Sequence, residues 1–383
     1  MKVVIIGNGV AGVTAAETIR AKDRDAEILV VSGEPHGFYS RPRLIELLAG
    51  KASAEQITIH NAQWYEKKEI GFIPSARIER IDPLKKFLVD DSGKETSYGT
   101  LVIAAGAAPF VPPIDGASSD GVFTLRTIED AARIRETAMG RGSAAIIGGG
   151  LLGIEAAGSL AALGVRVVLL EVSGRLLPRQ LDETGSSMLL AMLEKKGISV
   201  MAGATVAALR AGAGGLEIRL EGGSSLAAGL AVISAGVRPR IDLALAASIR
   251  CGSGILVDDF MRTNLPGVYA CGDCAEHDSR LYGLWQPARA QGAACGNHIA
   301  GVEAPFRGAV TSARLKVAGI ELASVGSIVG AEGVRGIVEK MEDGLYRKLF
   351  IRDGRLIGAI LLGDLAGLDA LQKAIRDCEV FEP

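Results

Sequence analysis

The stretch KVVIIGNGVAGVTAAETI, residues 2–19, indicates the fold class. It joins an apolar β-type run, a glycine-rich turn and an Ala-rich helical run. The turn fits the pattern G-x-G-x-x-G, in which the first glycine permits the tight turn, the second lets a pyrophosphate approach the backbone, and the third packs helix on strand. The helix N-terminus then offers N–H groups to the phosphates. The candidate cofactor-binding residues here are Gly7, Gly9, Val10, Ala11 and Gly12.

An acidic residue follows this turn at the sequence distance that is typical of a ribose ligand. A second apolar run, Glu27–Val31, precedes Glu34, which follows Gly12 by 22 residues. A dinucleotide-binding fold places an acidic partner for a ribose 2′-hydroxyl about 20 residues on. Glu34 is therefore the predicted ribose ligand of the first site.

A second copy of the pattern follows at AAIIGGGLLGIEAAGSL, residues 144–160. Glu171 stands 18 residues after its last turn glycine and repels a 2′-phosphate, which favours NAD over NADP. Arg175 is near enough in sequence to soften that preference. The candidate residues of this turn are Gly148, Gly150, Leu152 and Gly153.

Each copy is followed by a short buried-strand run that ends in Ala-Gly. LVIAAGAAP begins at Leu101 and AVISAGVRP begins at Ala231. We expect an α/β chain with two Rossmann-like dinucleotide-binding domains and a small α+β C-terminal domain. The expected boundaries are 1–108 with 240–303 for the first domain, 109–239 for the second and 304–383 for the last. The Ala-Gly candidate residues are Ala105, Gly106 and Gly236.

Composition excludes several classes of protein. Lys and Arg total 42 and Asp and Glu total 44, so the chain has no excess of positive charge for nucleic acid. No signal-peptide pattern precedes the first strand, and five scattered cysteines form no disulfide framework, so we expect a cytoplasmic protein. The apolar stretch 143–165 is interrupted by three glycines, so we expect no membrane span.

With both turns placed, the chain resembles the pyridine nucleotide–disulfide oxidoreductase superfamily, which binds FAD and NAD(H). TNLPGVYACGDCAE, residues 263–276, is similar to the family's late FAD motif, and the resemblance implies that Gly272 and Asp273 lie at the FAD ribitol. GEPHGFYSRPRLIELLAG, residues 33–50, resembles NADH:rubredoxin oxidoreductases and the N-terminal part of NADH-dependent nitrite reductases. ARLKVAGIELASVG and YRKLFIRDGRLIGAILLGD resemble the last domain of those groups.

The resemblance also implies roles for five further residues, each with an ordinary alternative. Glu155 contacts the nicotinamide or stabilises the helix dipole. Lys316 stabilises the reduced flavin or is solvated on an edge strand. Trp285 lies beside the flavin or packs in the core. Arg41 and Arg126 reach the FAD phosphates or the flavin, or form surface ion pairs.

No thiol precedes Cys251, so the early cysteines of the disulfide-reducing branches are absent. We interpret Cys271 and Cys274 as small residues that fill space rather than as a redox dithiol, and the four histidines fit no metal site. The resemblance implies electron transfer from NADH through FAD to a small iron protein such as rubredoxin, with no protein residue acting as catalyst. The alternatives are a flavin subunit of a larger redox complex, an NADH-sensing scaffold and, least favoured, a disulfide or peroxide reductase.

Overall fold

The computed structural model describes residues 1–212, 214–328 and 333–380. The chain forms two compact units. The first unit comprises Met1–Ser40, Ala54–Ala108 and Val237–Ala309, and the second comprises Arg41–Ser53, Pro109–Gly236 and Val310–Pro383. The segment Arg41–Ser53 thus groups with the second unit, although it lies within the expected FAD domain. The three expected domain boundaries, after residues 108, 239 and 303, stay a prediction.

A parallel sheet of five strands forms the centre of the first unit. Its strand Lys2–Ile6 is apolar and almost wholly buried because both faces of the sheet are covered. The helices Val10–Lys22 and Trp285–Ile299 pack closely, since a Cβ on Gly292 would lie 2.3 Å from the Ala11 carbonyl oxygen. In spatial order the strands are Val268–Ala270, Thr100–Ile103, Lys2–Ile6, Glu27–Val31 and Ile70–Ile73.

Shorter elements complete the first unit. One antiparallel sheet is formed by Ile78–Asp82, Phe87–Asp90 and Glu95–Ser97. Two-stranded sheets pair Phe38–Tyr39 with Thr58–His60, Ile255–Val257 with Ala275–His277, and Ala107–Pro109 with Val237–Pro239. The remaining helices are Ala54–Ile57, Ala62–Lys67 and Asp242–Ala246.

The second unit contains another parallel sheet of five strands with the same buried apolar character. In spatial order they are Val122–Thr124, Leu230–Ile233, Ser143–Ile147, Arg166–Glu171 and Ile198–Ala202. An antiparallel sheet of Val206–Gly212, Gly215–Leu220 and Ser225–Ala228 accompanies it. The helices are Leu44–Leu48, Ile128–Arg141, Leu151–Ala162 and Glu183–Lys195, preceded by the 3₁₀ turn Arg41–Arg43.

The last part of the second unit is a five-stranded antiparallel sheet. Its spatial order is Ser312–Val317, Ile320–Gly326, Arg355–Leu362, Leu345–Arg352 and Val334–Glu342. The helix Leu368–Arg376 buries Leu368, Leu371 and Ile375 against it.

The sequence predicts three strands in this part, at 316–325, 346–351 and 356–362, and the first of these predictions is wrong. Ala318 and Gly319 both adopt positive φ, 48° and 81°, so the chain reverses there in a tight hairpin. The strand Val334–Glu342 is also missing from the prediction, because its residues are mostly exposed and lack an apolar pattern.

The two parallel sheets and the small C-terminal sheet confirm the expected fold class. Within residues 1–212, 214–328 and 333–380, no helix is long and apolar enough to cross a membrane.

Candidate cofactor-binding sites

In the first glycine turn, a side chain would clash with the backbone at two of the glycines, and the third glycine leaves the turn open to a ligand. Gly7 has φ of 111°, and a Cβ there would lie 2.2 Å from the Ala104 carbonyl oxygen. A Cβ on Gly12 would lie 2.1 Å from the Gly7 carbonyl oxygen. In the described part of the chain, nothing lies within 4 Å of a Cβ built on Gly9. Gly9 therefore leaves room for whatever approaches the turn from outside.

The second turn repeats this geometry. Gly148 has φ of 119° and its Cβ would lie 2.3 Å from the Ser234 carbonyl oxygen, while a Cβ on Gly153 would lie 1.9 Å from the Gly148 carbonyl oxygen. Gly150 corresponds to Gly9, since its Cβ position is open towards the described residues. The two turns are built alike in separate units.

Both turns lead into helices whose N-cap residue is a glycine, so neither helix has a side-chain cap at that position. The helix Val10–Lys22 begins directly after Gly9, and the helix Leu151–Ala162 directly after Gly150. The first N–H groups of a helix have no partner within it, and its N-terminus carries positive partial charge. Each end therefore fits a pyrophosphate. Leu152, on the first turn of the second helix, is 38% exposed.

The predicted ribose carboxylate of the first site is held by a side chain that the sequence did not indicate. The Tyr39 hydroxyl donates to Glu34 Oε2 at 2.5 Å. Within the glycine turn, the Tyr65 hydroxyl donates to Asn8 Oδ1 at 2.6 Å. Burial raises the pKa of Tyr65 to about 12, so it remains a donor at neutral pH. Tyr39, Asn8 and Tyr65 lack a local sequence pattern, because tertiary structure brings them together.

The late FAD motif lies against the first turn. Gly272 has φ of 83°, and its Cβ would lie 2.8 Å from the Ala11 Cβ. Its N–H donates to Gln291 Oε1 at 2.8 Å. Gln291 is 1% exposed, and its Nε2 has no hydrogen-bond partner among the described residues. A buried amide donor without a protein partner fits a site that a bound group completes. Asp273 follows directly and is half-buried.

The two Ala-Gly sequences lie beside the two turns. Ile6 is in register with Ile103, two residues before Ala105, and Gly106 adopts φ of 68°. Ile147 is likewise in register with Ile233, and Gly236 adopts φ of 102°. Positive φ favours glycine at both positions.

Glu171 is fixed on the second turn. Its Oε2 accepts from the Gly149 N–H at 2.6 Å, and its Oε1 accepts from the Ser173 N–H at 2.7 Å. The residue is only 8% exposed. These two hydrogen bonds fix the carboxylate at the end of the strand Arg166–Glu171, where the ribose of a dinucleotide would lie. The Arg175 guanidinium contacts the Pro178 carbonyl oxygen at 3.4 Å.

Glu155 is the fifth residue of the helix Leu151–Ala162 and so lies beyond its first turn. The helix-dipole alternative is therefore wrong, since that effect is confined to the first turn. Burial raises the pKa of Glu155 to about 7, and a hydrogen bond from the Lys316 backbone N–H partly opposes this shift. A carboxyl with that pKa can donate or accept a hydrogen bond near neutral pH.

Lys316, Arg41 and Arg126 all lie in the second unit. The Lys316 ammonium is 81% exposed and 3.0 Å from Glu321 Oε1, which matches the alternative of a solvated edge-strand lysine. Arg41 Nη1 donates to the Arg126 carbonyl oxygen at 2.8 Å, so the structure brings these two residues together. The flavin and phosphate roles of the three residues stay predictions.

Trp285 is the first residue of the helix Trp285–Ile299. Its ring stacks on Phe38, with centroids 5.7 Å apart and planes at 16°. The flavin contact of Trp285 stays a prediction.

The buried cysteines are poor candidates for redox chemistry. Cys271, Cys274 and Cys295 are fully buried. A hydrogen bond with Cys295, then burial, raises the pKa of Cys271 well above its ordinary value, and burial raises that of Cys274 to about 12. Because the thiolate is the reactive form, Cys271 and Cys274 are poor nucleophiles at neutral pH.

Comparison with known families agrees with this geometry. Residues 1–292 match the model of the pyridine nucleotide-disulphide oxidoreductase family, and residues 312–379 match the rubredoxin NAD+ reductase C-terminal domain. Members of the first family bind FAD and NAD(H).

Individual relatives differ in their named activities. The assimilatory nitrate reductase electron transfer subunit of Bacillus subtilis is 37% identical over 393 residues, covering 100% of this chain and 51% of that protein. The chain spans about half the length of the nitrate and nitrite reductase relatives that it matches. The NADH-rubredoxin oxidoreductase of Clostridium acetobutylicum is 31% identical over 381 residues, covering 100% of this chain and 96% of that protein.

Solved structures show the same architecture. The structure of the Clostridium enzyme matches with a TM-score of 0.84 at 29% identity, over 100% of this chain and 96% of that one. A NAD-dependent persulfide reductase from A. fulgidus matches with a TM-score of 0.92 at 29% identity, over 99% of this chain and 77% of that one.

Proposed function

The chain belongs to the pyridine nucleotide-disulphide oxidoreductase family, and we propose that it passes electrons from NADH through FAD to a small iron protein of the rubredoxin type. One observation carries the proposal: each unit has a glycine turn that is followed by a carboxylate, Glu34 22 residues after Gly12 and Glu171 18 residues after Gly153, and Glu171 accepts from the N–H of its turn. Such a pair suits two dinucleotides, one a resident flavin and the other its reductant.

The residues of the chain supply binding and orientation. Bound FAD provides the hydride acceptor, while the protein contributes position and electrostatics. The amides after Gly9 hold the FAD pyrophosphate, and those after Gly150 hold that of NADH. Glu171 accepts from the NADH ribose, and Glu155 hydrogen-bonds the nicotinamide amide. These assignments belong to the proposal.

The chemistry of the cysteines bears on the identity of the electron acceptor. No cysteine precedes Cys251, and Cys271 and Cys274 are buried with raised pKa values. A thiolate relay is therefore not supported, and electrons leave the flavin for an external acceptor. The matched NADH-rubredoxin oxidoreductase, which this chain covers over 96% of its length, favours an iron protein as that acceptor.

A second candidate function rests on length. Because the chain spans about half of the matched nitrate and nitrite reductase proteins, it fits the flavin module or subunit of a larger reductase. In that case electrons pass to a partner subunit, and free rubredoxin is a poor acceptor.

One anaerobic assay separates these candidates. Purified protein is mixed with NADH and oxidised rubredoxin, and rubredoxin reduction is followed, with ferricyanide as an acceptor that needs no docking. Fast, catalytic rubredoxin reduction supports the first candidate. Ferricyanide reduction without rubredoxin reduction rejects rubredoxin as acceptor and favours the second.

A further inference from the structure

Both tryptophans of the chain lie in one continuous stack of rings. The chain has only 2 tryptophans among 383 residues. Trp285 stacks on Phe38 with centroids 5.7 Å apart, and Phe38 contacts the His60 ring at 5.5 Å. His60 stacks on Trp64 at 3.8 Å with an interplanar angle of 4°. Two residues that are 221 positions apart in sequence are thus joined by two intervening rings.

All four rings belong to the first unit, and the tryptophans at the two ends of the stack are both half-buried. Phe38 is 6% exposed, whereas Trp64 is half-buried and the His60 side chain is 15% exposed. Ile59, the neighbour of His60 in sequence, is 49% exposed. The end formed by His60 and Trp64 can therefore be reached from outside.

The Trp285 end of the stack belongs to the helix that contacts the late FAD motif. Trp285 and Gln291 are six residues apart on one helix, which corresponds to about 9 Å at ~1.5 Å per residue. Gln291 accepts from the Gly272 N–H, next to Asp273. Trp285 is thus within reach of a flavin whose ribitol lies at Asp273.

We propose that this stack, Trp285–Phe38–His60–Trp64, is the route by which electrons leave the flavin, and that a one-electron iron protein docks over Trp64. The proposal rests on the proposed function above. The rings act as a tunnelling bridge, because contacting π systems couple donor and acceptor better than gaps or saturated side chains, and no ring is itself oxidised. Two acceptor molecules each take one electron, converting two Fe³⁺ to two Fe²⁺. The reduced flavin returns to its oxidised form and releases one proton to solvent.

The test measures the two halves of the reaction separately by stopped flow. NADH first reduces the flavin, and oxidised rubredoxin or ferricyanide then reoxidises it. His60→Gln removes the middle ring and keeps a donor for Glu17, which now lies 2.9 Å from His60 Nε2. Trp64→Leu removes the outer ring, and Trp64→Phe retains one. Phe87→Leu is the matched control, because this ring belongs to the same unit and lies outside the stack.

We expect rubredoxin to reoxidise the flavin about tenfold more slowly in His60→Gln and Trp64→Leu, the order of loss for truncating an aromatic anchor. Trp64→Phe should recover most of that rate. Reduction by NADH and reoxidation by ferricyanide should not change in any variant. Unchanged rubredoxin rates in both ring deletions would overturn the route and leave the proposed function intact. Flavin that NADH reduces but rubredoxin never reoxidises would overturn both.

Discussion

Glu171 and Gly149, 22 residues apart in sequence, are joined by a 2.6 Å hydrogen bond from the glycine N–H to the carboxylate. The bond ties the end of one parallel strand to the glycine turn of its neighbour. It also places the buried carboxylate where the ribose of NADH is expected. The side chain that fixes the turn is thus the one that we propose selects the nucleotide.

Removing this charge should weaken the preference for NADH. Glu171→Gln keeps a side-chain oxygen for one of the two backbone donors and removes the repulsion of a 2′-phosphate. We expect the ratio of kcat/KM for NADH to that for NADPH to fall about tenfold, the equivalent of ~1.4 kcal/mol. The measurement is steady-state flavin reduction with both nucleotides. An unchanged ratio would show that Glu171 does not contact the ribose.

Alanine substitutions at Gly150 and Gly153 should have different effects, one on NADH binding and the other on stability. Gly153→Ala places a Cβ 1.9 Å from the Gly148 carbonyl oxygen, so we expect a destabilisation of about 1–3 kcal/mol or more. Gly150→Ala meets nothing within 4 Å in the described part of the chain, so the protein should fold normally but have a raised KM for NADH. Thermal unfolding and KM values for both variants check this. Equal effects on stability would contradict the assigned roles.

Glu155 should make folding stability depend on pH. Its pKa of about 7 in the folded protein lies above the ordinary value of 4.5, so the folded state binds more protons between these two values. Stability therefore falls as pH rises from about 4.5 to about 7. Glu155→Gln should lose this component, which urea unfolding of the NADH-free protein at pH 5 and pH 8 can measure. The same pH dependence in both proteins would mean that Glu155 is ionised like an exposed carboxyl.

The buried thiols should be dispensable for turnover. We expect Cys271→Ala and Cys274→Ala variants that still hold FAD to reduce the acceptor at the wild-type rate, because neither thiol is ionised at neutral pH. Loss of turnover with flavin content retained would instead support dithiol chemistry.

The features that depend on short-range sequence patterns can be predicted from the sequence. The backbone geometry of the two turns admits no side chain at Gly7, Gly12, Gly148 and Gly153, so these glycines are recognisable in the sequence. Glu171 is recognisable because one helix and one strand separate it from its turn. Tyr39 and Gln291 are missed because their partners, Glu34 and Gly272, are set by tertiary contact.

Lys316 pairs with Glu321 across a hairpin that the sequence did not predict. The hairpin itself is missed because the apolar pattern continues through Ala318 and Gly319, and only their positive φ values reverse the chain.

The proposed electron transfer can be tested by anaerobic titration of the FAD-loaded protein with NADH, followed by addition of oxidised rubredoxin. One NADH should bleach one flavin, and two rubredoxins should restore its absorbance. A flavin that NADH does not bleach would show that the two glycine turns do not bind a flavin and its nicotinamide reductant for electron transfer.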